Sequence, residues 1–585
     1  MKYKFSKFLI CLFSIAALSS CRTIFNYFDG VKIIYDQNIK NGKISIYYEK
    51  SSFNEEDKLQ IGDKLYVKTI PNKGYVLDKL YVNGDVFNDS PYFTIKKEAY
   101  NIKATFKEIN FYEDNKNYLI NDDFYTYYDI ENTKGMSMTP STGNVNILVV
   151  PIEFSDYDSF SKSQIESINV AFNGSNNNKT NSYWESVSSF YNKSSYGKLR
   201  LNFDICDTYI PSISGSQFKN LEKNDGDGSI FLLDECRDKL KINNSLINYK
   251  NYDSDDDGYV DGIWLIYNAN KNSEVYGDNN DFWAYTFSYL NDSRNTLKKE
   301  PNKENPNFAR YANCSQLFLY SDDLFGYDAH TLIHEQGHMF GLDDYYTYDK
   351  NVASSATGGL DMMDLNIGDH DSFSKFSLGW IKPKVVEGDS TLKILPISTS
   401  GEAIILPVTS NINNPFNEYY IIEFYTPTNL YSLDANKSYR NKYPKYFLNN
   451  GIRISHIDSR LIDYRNTIVN SNNLDINGFN NPFNYEKYYN VGCSNTASNS
   501  YNKSNKGFYN LIETINPYNI KSYNNFYYND GGTSFLFTSG DVFNTKMESN
   551  FFIDNEYNHD KTKFNYSLRV EYVCDDYATI SIKKV

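Results

Sequence analysis

Short stretches in which apolar and polar residues alternate fill the chain between residues 31 and 108. Residues 42–48 and 62–69 alternate with the two-residue period of a strand that buries one face. A further stretch runs into Asn83-Gly84, a dipeptide that favours a tight hairpin turn. We therefore predict a small β-rich domain over 31–108.

The pattern changes at Val145, where a continuous apolar run over 147–152 predicts a buried strand. Ser161-x-x-Gln164 has the form of a capping box, in which each residue's side chain bonds the other's backbone amide, so it predicts the start of a helix. Gly174 then predicts where that helix ends. From this point some apolar residues recur with the period of a helix, and others with that of a strand.

Helices and strands continue to interleave after this point. Ser182-x-x-Glu185 predicts the start of another helix, and the apolar spacing predicts helices over 230–240 and 330–341. The run 262–267 predicts a buried strand. We therefore predict a mixed α/β domain over 145–385.

Beyond residue 386 the helical period fades and strand patterns return. This predicts a C-terminal β-sandwich-like domain over 386–585. Residues 109–144 show little periodicity and are interpreted as a linker or a pro-segment. The whole chain is thus predicted to be multidomain α+β. The C-terminal strands are predicted over 392–396, 403–408, 419–425, 451–457, 567–573 and 578–583.

The first twenty residues have the composition of a targeting segment rather than of a folded element. A basic start is followed by an apolar stretch, 8–17, about half the length of a membrane-spanning helix. Leu18-Ser19-Ser20-Cys21 then resembles a bacterial lipobox, which implies removal of 1–20 and lipidation of Cys21. The alternative is a secreted soluble protein in which Cys21 is incidental. We expect an extracytoplasmic protein that reaches the membrane through this lipid alone.

Charge and cysteine content narrow the classes of partner and site. The 585-residue chain has a formal net charge of −15 and no basic patch, which argues against a nucleic-acid partner. Five of its seven cysteines lie after Cys21, are widely scattered and form no Cys-x-x-Cys pair. The spacing therefore favours neither a disulfide framework nor a cysteine zinc site.

The strongest chemical signal is a His-Glu-x-x-His motif in the predicted helix 330–341. His334 and His338 lie one turn apart on one helix face, so both imidazoles can reach one ion, and Glu335 lies about 100° further round the helix. A histidine pair on an ordinary helix surface is the alternative for the short motif. Gly341 can reverse the chain, so that Asp344 supplies a third ligand. Asp343 stands beside it, although the spacing favours Asp344.

Two further stretches carry possible ligands or supporting residues. In Leu360-Asp361-Met362-Met363-Asp364, Met363 resembles the Met-turn of metzincin-like peptidases, with core packing as the alternative. Residues 253–261 have oxygen donors at the spacing of a calcium loop, with Gly258 at the turn. Position 12 of that loop is Trp264 rather than Glu, which excludes a complete EF-hand. The calcium ligands predicted on this spacing are Asp253, Asp255, Asp257, Asp261 and the carbonyl of Tyr259.

Taken together, these motifs resemble the immune inhibitor A family of secreted bacterial metallopeptidases over roughly 140–460. The matching segments are His334-Glu335-x-Gly337-His338-x-x-Gly341-Leu342-x-Asp344-x-Tyr346, 358–364, Gly368-Asp369-His370, Lys375-x-x-Leu378-Gly379-Trp380, 149–156, 194–199 and 257–261. The resemblance implies a zincin-like catalytic domain that binds Zn²⁺. The family often has Pro where Asp343 stands here. Residues 31–108 separately resemble a divergent internalin-type B-repeat, which implies a spacer or binding module.

The resemblance implies an endopeptidase that acts on extracellular proteins or peptides, with Glu335 as general base toward a zinc-activated water. Stabilising the oxyanion would fall to His370 or to a tyrosine at 345–346, and His370 is equally a candidate structural residue. One alternative is a surface adhesin with an inactive zincin domain. Another is a zincin that acts only on small peptides. Ca²⁺ would be structural.

Overall fold

A computed structural model gives the architecture of most of the chain. The residues it describes are 23–28, 31–48, 61–88, 90, 92–133, 137–174, 184–223, 227–269, 282–291, 300–320, 327–348, 356–409, 412–437, 439, 443, 445–463, 489–496, 510–517, 535–546, 552 and 556–585. The predicted leader 1–20 and Cys21 lie outside these residues. The described part is mixed α+β with several sheets, as predicted. None of its helices is long and apolar enough to cross a membrane.

The chain divides into two compact units. The first comprises residues 1–109 and 539–541, and the second comprises 110–538 and 542–585. The predicted regions 145–385 and 386–585 thus both lie in the second unit, apart from residues 539–541.

The first unit is built from strands. They form a five-stranded sheet of order β1-β2-β9-β6-β7 and a four-stranded sheet of order β3-β4-β5-β8. Alternate residues of β2 and β5 are buried, as their sequence period predicts, and Ile33, Ile44 and Ile102 are fully buried in the shared core. The strands are β1 (Thr23–Phe28), β2 (Val31–Asp36), β3 (Asn38–Ile39), β4 (Gly42–Tyr48), β5 (Lys64–Pro71), β6 (Tyr75–Val82), β7 (Asp85–Val86), β8 (Tyr92–Thr94) and β9 (Ala99–Glu108).

The predicted hairpin is present between β6 and β7. Asn83 and Gly84 join the two strands with φ of +55° and +96°. Both values lie in the left-handed region that tight hairpin turns require, which explains why Asn and Gly occupy the turn.

The second unit contains the remaining described strands and all the described helices. Its strands are β10 (Tyr118–Leu119), β11 (Gly143–Ile152), β12 (Leu199–Ile205), β13 (Lys241–Ile242), β14 (Ser245–Leu246), β15 (Tyr259–Val260), β16 (Ile263–Tyr267), β17 (Tyr285–Ser288), β18 (Asn307–Phe308), β19 (Arg310–Ser315), β20 (Lys384–Val385), β21 (Ser390–Ile394), β22 (Ala403–Pro407), β23 (Glu418–Tyr425), β24 (Gly451–Asp458), β25 (Leu461–Asp463), β26 (Tyr489–Val491), β27 (Ile512–Thr514), β28 (Val542–Phe543), β29 (Tyr566–Val573) and β30 (Ala578–Lys584). Its helices are α1 (Tyr127–Thr133), α2 (Lys162–Asn173), α3 (Val187–Ser194), α4 (Gly215–Glu222), α5 (Asp227–Cys236), α6 (His330–Met339), α7 (Met362–Leu365), α8 (Ser372–Ser377), α9 (Ile397–Ser400) and α10 (Ser432–Asn436).

A five-stranded sheet of order β12-β11-β16-β19-β17 forms the centre of the predicted catalytic region. Its pairs are parallel except the last, because β17 runs antiparallel to β19 at the edge. Strand β11 buries both faces: Ile147 and Val149 join one core, and Leu148 and Val150 join another. This is why its sequence reads as a continuous apolar run.

The helix starts were predicted with mixed success. Helix α2 begins with both halves of the Ser161–Gln164 capping box in place, and its C-cap is Gly174. Helix α3 begins four residues later than predicted, since Ser186 caps it together with Ser189. The predicted cap Ser182 lies outside the described residues.

The six predicted C-terminal strands are present as β21, β22, β23, β24, β29 and β30. They contribute to a six-stranded sheet of order β10-β20-β22-β23-β24-β27 and a four-stranded sheet of order β21-β30-β29-β28. One face of the six-stranded sheet packs against the four-stranded sheet, through residues such as Ile422 and Ile454. The other face, including Ile421 and Ile405, joins the core that also contains α6. The C-terminal sheets therefore support the helix that carries the His-Glu-x-x-His motif.

The segment predicted as linker or pro-segment, 109–144, packs within the second unit. Strand β10 pairs with β20. Further along, the Thr139 amide donates to the Met339 carbonyl at 3.2 Å, and the Trp380 indole donates to the Ser141 carbonyl at 2.7 Å. The first bond connects the segment to the end of α6, and the second connects it to Trp380, just after α8.

Removing the bond between the central sheet and α6 is expected to destabilise the second unit. Trp264 on β16 is fully buried, and its indole N–H donates to Gln336 Oε1 at 3.1 Å. Trp264→Phe leaves that buried oxygen without its donor, which costs about 1–3 kcal/mol. We expect a lower urea midpoint by circular dichroism. Trp283→Phe is the control, because Trp283 is 37% exposed; equal losses from both variants would contradict the assignment.

Candidate metal centre

Helix α6 brings the two histidines of the motif to one point. His334 Nε2 lies 3.1 Å from His338 Nε2. Asp344 Oδ1 lies 2.9 Å from the former and 3.3 Å from the latter. Among the described residues, these three side chains form one of the groups whose ligand atoms lie close enough together to hold a metal ion. The predicted ligand set is therefore assembled in space.

Hydrogen bonds on the far side of each ring determine which nitrogen faces the centre. His334 Nδ1 lies 2.8 Å from the Met362 carbonyl, and His338 Nδ1 lies 2.7 Å from the Leu342 carbonyl. A carbonyl oxygen only accepts, so each Nδ1 must carry the proton. In the neutral rings both Nε2 atoms then present lone pairs to each other and to Asp344. Three lone-pair donors in contact favour a proton or a metal cation between them, and a zinc ion is compatible with this donor set.

The charges at the centre favour a cation as well. Burial lowers the pKa of His338, but the neighbouring Asp344 carboxylate outweighs burial and raises that pKa to about 10. Burial acts against ionisation of Asp344, yet His338 and His334 hold the pKa of Asp344 far below its usual range. Without a metal, the centre thus retains positive charge as protons.

The chain reversal after α6 selects Asp344 rather than Asp343. Gly341 has φ of +97°, a conformation that side chains other than glycine's rarely adopt. Asp344 then points back to the histidines and also accepts a hydrogen bond from the Tyr348 hydroxyl. The Asp343 side chain is exposed and accepts from Ser494 Oγ at 3.1 Å. The alternative ligand therefore faces away from the centre.

Glu335 lies beside the ligands and outside the ligand group. Its side chain is buried, and burial raises the pKa of the carboxyl although His338 acts in the opposite direction. Thr286 Oγ1, on the edge strand β17, lies 2.8 Å from the Glu335 carbonyl and 3.1 Å from Glu335 Oε2. No pattern in the sequence pointed to Thr286, because the contact joins residues 49 positions apart.

Both methionines of the predicted Met-turn contribute, in different ways. Met363 packs under the helix: a Cβ added at Gly337 would lie 2.6 Å from its sulfur. Met362 supplies the carbonyl that orients His334. A side chain at the motif residue Gly337 would thus collide with Met363, and the role of Met363 as a hydrophobic floor beneath the centre stays a prediction.

The Met-turn is held from the C-terminal strands. Arg453 on β24 lies 3.2 Å from Glu423 on β23, and both side chains are buried. The Arg453 guanidinium also donates to the Leu360 carbonyl at 3.4 Å, and Glu423 accepts from the Ser372 amide at 3.0 Å. This ion pair fastens both ends of the segment that carries Met363.

A direct catalytic role for His370 is not supported by its position. The side chain is fully buried and packs among the rings of Phe190, Tyr191 and Trp380. Burial lowers its pKa well below the usual value, so the ring is neutral. The structure favours the other role considered for it, as a structural residue near the Met-turn. Tyr345 is also fully buried and bonds Ser374, so Tyr346 is the tyrosine of this pair that lies near the centre, with its ring 6.4 Å from that of His334.

The predicted calcium loop brings three of its acids together. The carboxylates of Asp253, Asp255 and Asp257 form a second potential metal group. Burial and the neighbouring Asp255 raise the pKa of Asp257 to about 6, a repulsion that a bound cation would relieve. Gly258 has φ of +90° at the turn, as its position in the motif predicts.

Asp261, a further predicted calcium ligand, is placed differently, and the role of the Tyr259 carbonyl stays a prediction. The Asp261 carboxylate is not in the group; its two oxygens lie 3.2 and 3.1 Å from the Ser254 amide. Tyr259 donates its amide to Asp257 Oδ1 at 2.8 Å. The Asp261 carboxylate therefore binds the loop backbone at Ser254, whereas the three earlier acids face one another.

His330, at the start of α6, is a further buried group that the sequence analysis did not assign. Its ring stacks between Trp184 and Tyr439, with centroid distances of 4.0 and 4.1 Å. Its Nδ1 lies 2.6 Å from Asp328, and its Nε2 lies 3.6 Å from Asp434. These contacts fix the beginning of the metal-site helix, just as Gly341 determines its end.

Comparison with protein-family models and with curated proteins finds no match to this chain.

Substituting Asp343 and Asp344 one at a time should show which of the two aspartates is the metal ligand. We expect Asp344→Asn to weaken zinc binding by at least about 100-fold, because it removes a charged ligand. Asp343→Asn is the matched control and should leave the affinity near its original value. Competition with a chromophoric chelator measures both. Weaker binding in Asp343→Asn alone would reverse the assignment.

The stability contributed by His330 should depend on pH. Burial lowers its pKa, but Asp328 and Asp434 outweigh burial and raise it from 6.5 to about 9. The contribution is therefore complete below pH 6.5 and is lost as the pH rises through 9, with a limit of about 3 kcal/mol. We expect the urea midpoint to fall more steeply across this window than it does in His330→Gln. Parallel pH profiles would contradict the charged state of His330.

Proposed function

We propose that this chain is a zinc-dependent endopeptidase of the zincin fold, similar to the immune inhibitor A family, that cleaves extracellular proteins. The observation that carries the proposal is the convergence of His334, His338 and Asp344 beside a buried Glu335. Two histidines and one carboxylate are the ligand type of catalytic zinc, because they leave a coordination position for a reactant.

The tautomers of His334 and His338 support zinc as the ion that these donors would bind. Both histidines hold their Nδ1 protons toward backbone carbonyls, so the two Nε2 atoms are the ones that would give lone pairs to a zinc ion, which would replace the proton that His338 otherwise holds. A zinc ion bound there supplies Lewis-acid chemistry, polarising a peptide carbonyl and lowering the pKa of water. The other catalytic roles are assigned to side chains of this protein.

Glu335 is proposed as the general base. Its carboxylate accepts a proton from the attacking water and returns it to the leaving amine. Burial raises its pKa above the ordinary value, which makes it a stronger base than an exposed glutamate. Thr286 Oγ1, in contact with the Glu335 carboxylate, limits the orientations open to it.

The position of the neighbouring strand β17 favours a polypeptide as the substrate. It is the last strand of its sheet in the described part of the chain, and Thr286 on it touches Glu335. An edge strand can bind an extended peptide through main-chain hydrogen bonds, in the same way as it would bind another strand. Such binding would present a peptide bond beside Glu335 and would favour chains of several residues over the smallest peptides.

We also propose a location for the protein outside the cell and roles for its acidic loop and its first unit. Lipidation of Cys21, which is outside the described residues, would anchor the protein to the bacterial membrane from the extracytoplasmic side. The three acids of the 253–257 loop are proposed as a structural calcium site. The β-only first unit is proposed as a spacer or binding module.

Glu335→Gln tests the proposal most directly. We expect the variant to bind zinc as the unsubstituted chain does and to cleave casein about 10²–10⁴-fold more slowly, because it loses the base and keeps the ligands. Metal analysis and a casein assay give the two readouts. Glu304→Gln, at a 90% exposed side chain, is the control and should retain activity.

Two results would overturn the proposal. Folded, zinc-loaded protein that cleaves neither proteins nor peptides, even after limited proteolysis, would instead indicate an adhesin with an inactive zincin domain. Cleavage of short peptides alone would indicate the small-peptide enzyme.

A further inference from the structure

A second cluster of histidines and carboxylates lies at one end of the C-terminal sandwich. Glu418 begins β23, and Asp458, directly opposite it, ends β24. His456 precedes Asp458 by two residues, so it lies on the same face of the strand. His559 comes from the turn before β29, in the other sheet of the sandwich. Strands and turn thus meet at one buried point.

The side chains at this point are in direct contact. His456 Nε2 lies 2.9 Å from Glu418 Oε1, and the rings of His456 and His559 are 4.4 Å apart at 80°. Glu418, His456 and His559 together form a potential metal group, with ligand atoms within 4.8 Å of one another. Their exposed fractions are 0%, 1% and 8%, so any ion there would be enclosed by protein.

The tautomer of His559 is set by a carboxylate behind it. His559 Nδ1 lies 3.0 Å from Asp458 Oδ2, and Asp458 receives two bonds of 2.7 Å from the Arg460 guanidinium. An aspartate held as an anion in this way accepts the Nδ1 proton of His559. The lone pair of His559 is then on Nε2. A carboxylate that orients a histidine from behind is a regular feature of metal sites.

The charges around the cluster are unequal. Among the described residues, Arg460 faces both buried carboxylates, lying 3.5 Å from Glu418 Oε2 in addition to its bonds with Asp458. The partly buried Asp560 lies close by, its amide donating to Glu418 Oε2 at 2.9 Å, and the buried Cys493 lies near Arg460. One guanidinium thus faces two buried carboxylates and a third acid. Buried carboxylates without matching positive charge are costly, and a divalent cation would supply that charge.

The arrangement matches that of the first metal centre. There, too, a histidine Nε2 lies 2.9 Å from a carboxylate oxygen, and two histidine rings meet edge to face, 4.8 Å apart at 85°. In both clusters the Nδ1 atom of at least one histidine is engaged by an acceptor outside the group. The second cluster differs in two ways. No glutamate directly follows His456 in the sequence as Glu335 follows His334. All three of its residues are buried, whereas His338 at the first centre is only partly buried.

We propose that Glu418, His456 and His559 hold a second divalent metal ion, zinc or another first-row transition metal, with a structural role. Imidazole and carboxylate donors suit these ions. The ion would fasten the turn at 556–564 to the ends of β23 and β24, and so join the two sheets of the sandwich. This site is independent of the proposed peptidase activity.

The two sites can be counted separately with cobalt. In full-length protein carrying His334→Ala and His338→Ala, and with excess Ca²⁺ present to fill the proposed 253–257 site, we expect one Co²⁺ per chain to remain, visible by its absorption bands, and to raise the urea midpoint. Adding His559→Ala should abolish both effects. Adding Lys563→Ala instead, in the same turn but exposed, should abolish neither. The readouts do not require any enzymatic activity.

A natively folded double variant that binds no Co²⁺ at micromolar concentration would overturn the proposal. So would binding that survives His559→Ala unchanged. If loss of the first-site histidines prevents folding, titration of the zinc-free unsubstituted chain in excess Ca²⁺ decides instead. Two equivalents of Co²⁺ per chain, falling to one in Glu418→Gln, support the second site, whereas a single equivalent unaffected by that change refutes it.

Discussion

The contact of three ligand atoms, two from helix α6 and one from the chain reversal that follows it, is the constraint around which the second unit is built. Two histidine Nε2 atoms and one carboxylate oxygen lie within 3.3 Å of one another, and two backbone carbonyls keep the Nδ1 protons turned away. Such an arrangement is unfavourable without a cation, so the surrounding structure must hold it in place. The site's geometry is therefore a consequence of the packing around α6 as much as of the motif itself.

That packing comes from distant parts of the chain. Trp264 holds the helix to the central sheet, and His330 fixes its beginning between two aromatic rings. Met363 lies beneath Gly337 on a segment that is held by the Arg453–Glu423 pair. The C-terminal sheets are thus part of the support of the centre, and this explains why 110–538 and 542–585 form one compact unit.

Loss of support should consequently affect the centre before it affects the rest of the fold. A buried ion pair with one partner removed leaves an uncompensated charge, which is strongly destabilising. Arg453 and Glu423 lie outside the motif, yet they hold the backbone around the carbonyl that orients His334. The second cluster, at Glu418, His456 and His559, lies further along the same two strands. One pair of strands thus connects both groups of potential ligands.

The sequence by itself determined the local parts of this protein. Apolar periodicity was sufficient for the six C-terminal strands and for helix α6, because each period reflects which face of an element is buried. The ligands His334, His338 and Asp344 could be predicted because they lie within eleven residues, on one helix turn and one glycine reversal. Helix α3 is capped at Ser186 rather than at the predicted Ser182, because the capping box that forms pairs Ser186 with Ser189.

Tertiary structure decided everything that depends on residues distant in sequence. It placed Thr286 against Glu335, turned Asp343 toward Ser494, and enclosed His370 among aromatic rings where no substrate reaches it. It also brought His559 to His456 across about a hundred residues of chain. The physical reason is that side-chain contacts between sheets depend on how the sheets pack, and local periodicity carries no information about that packing.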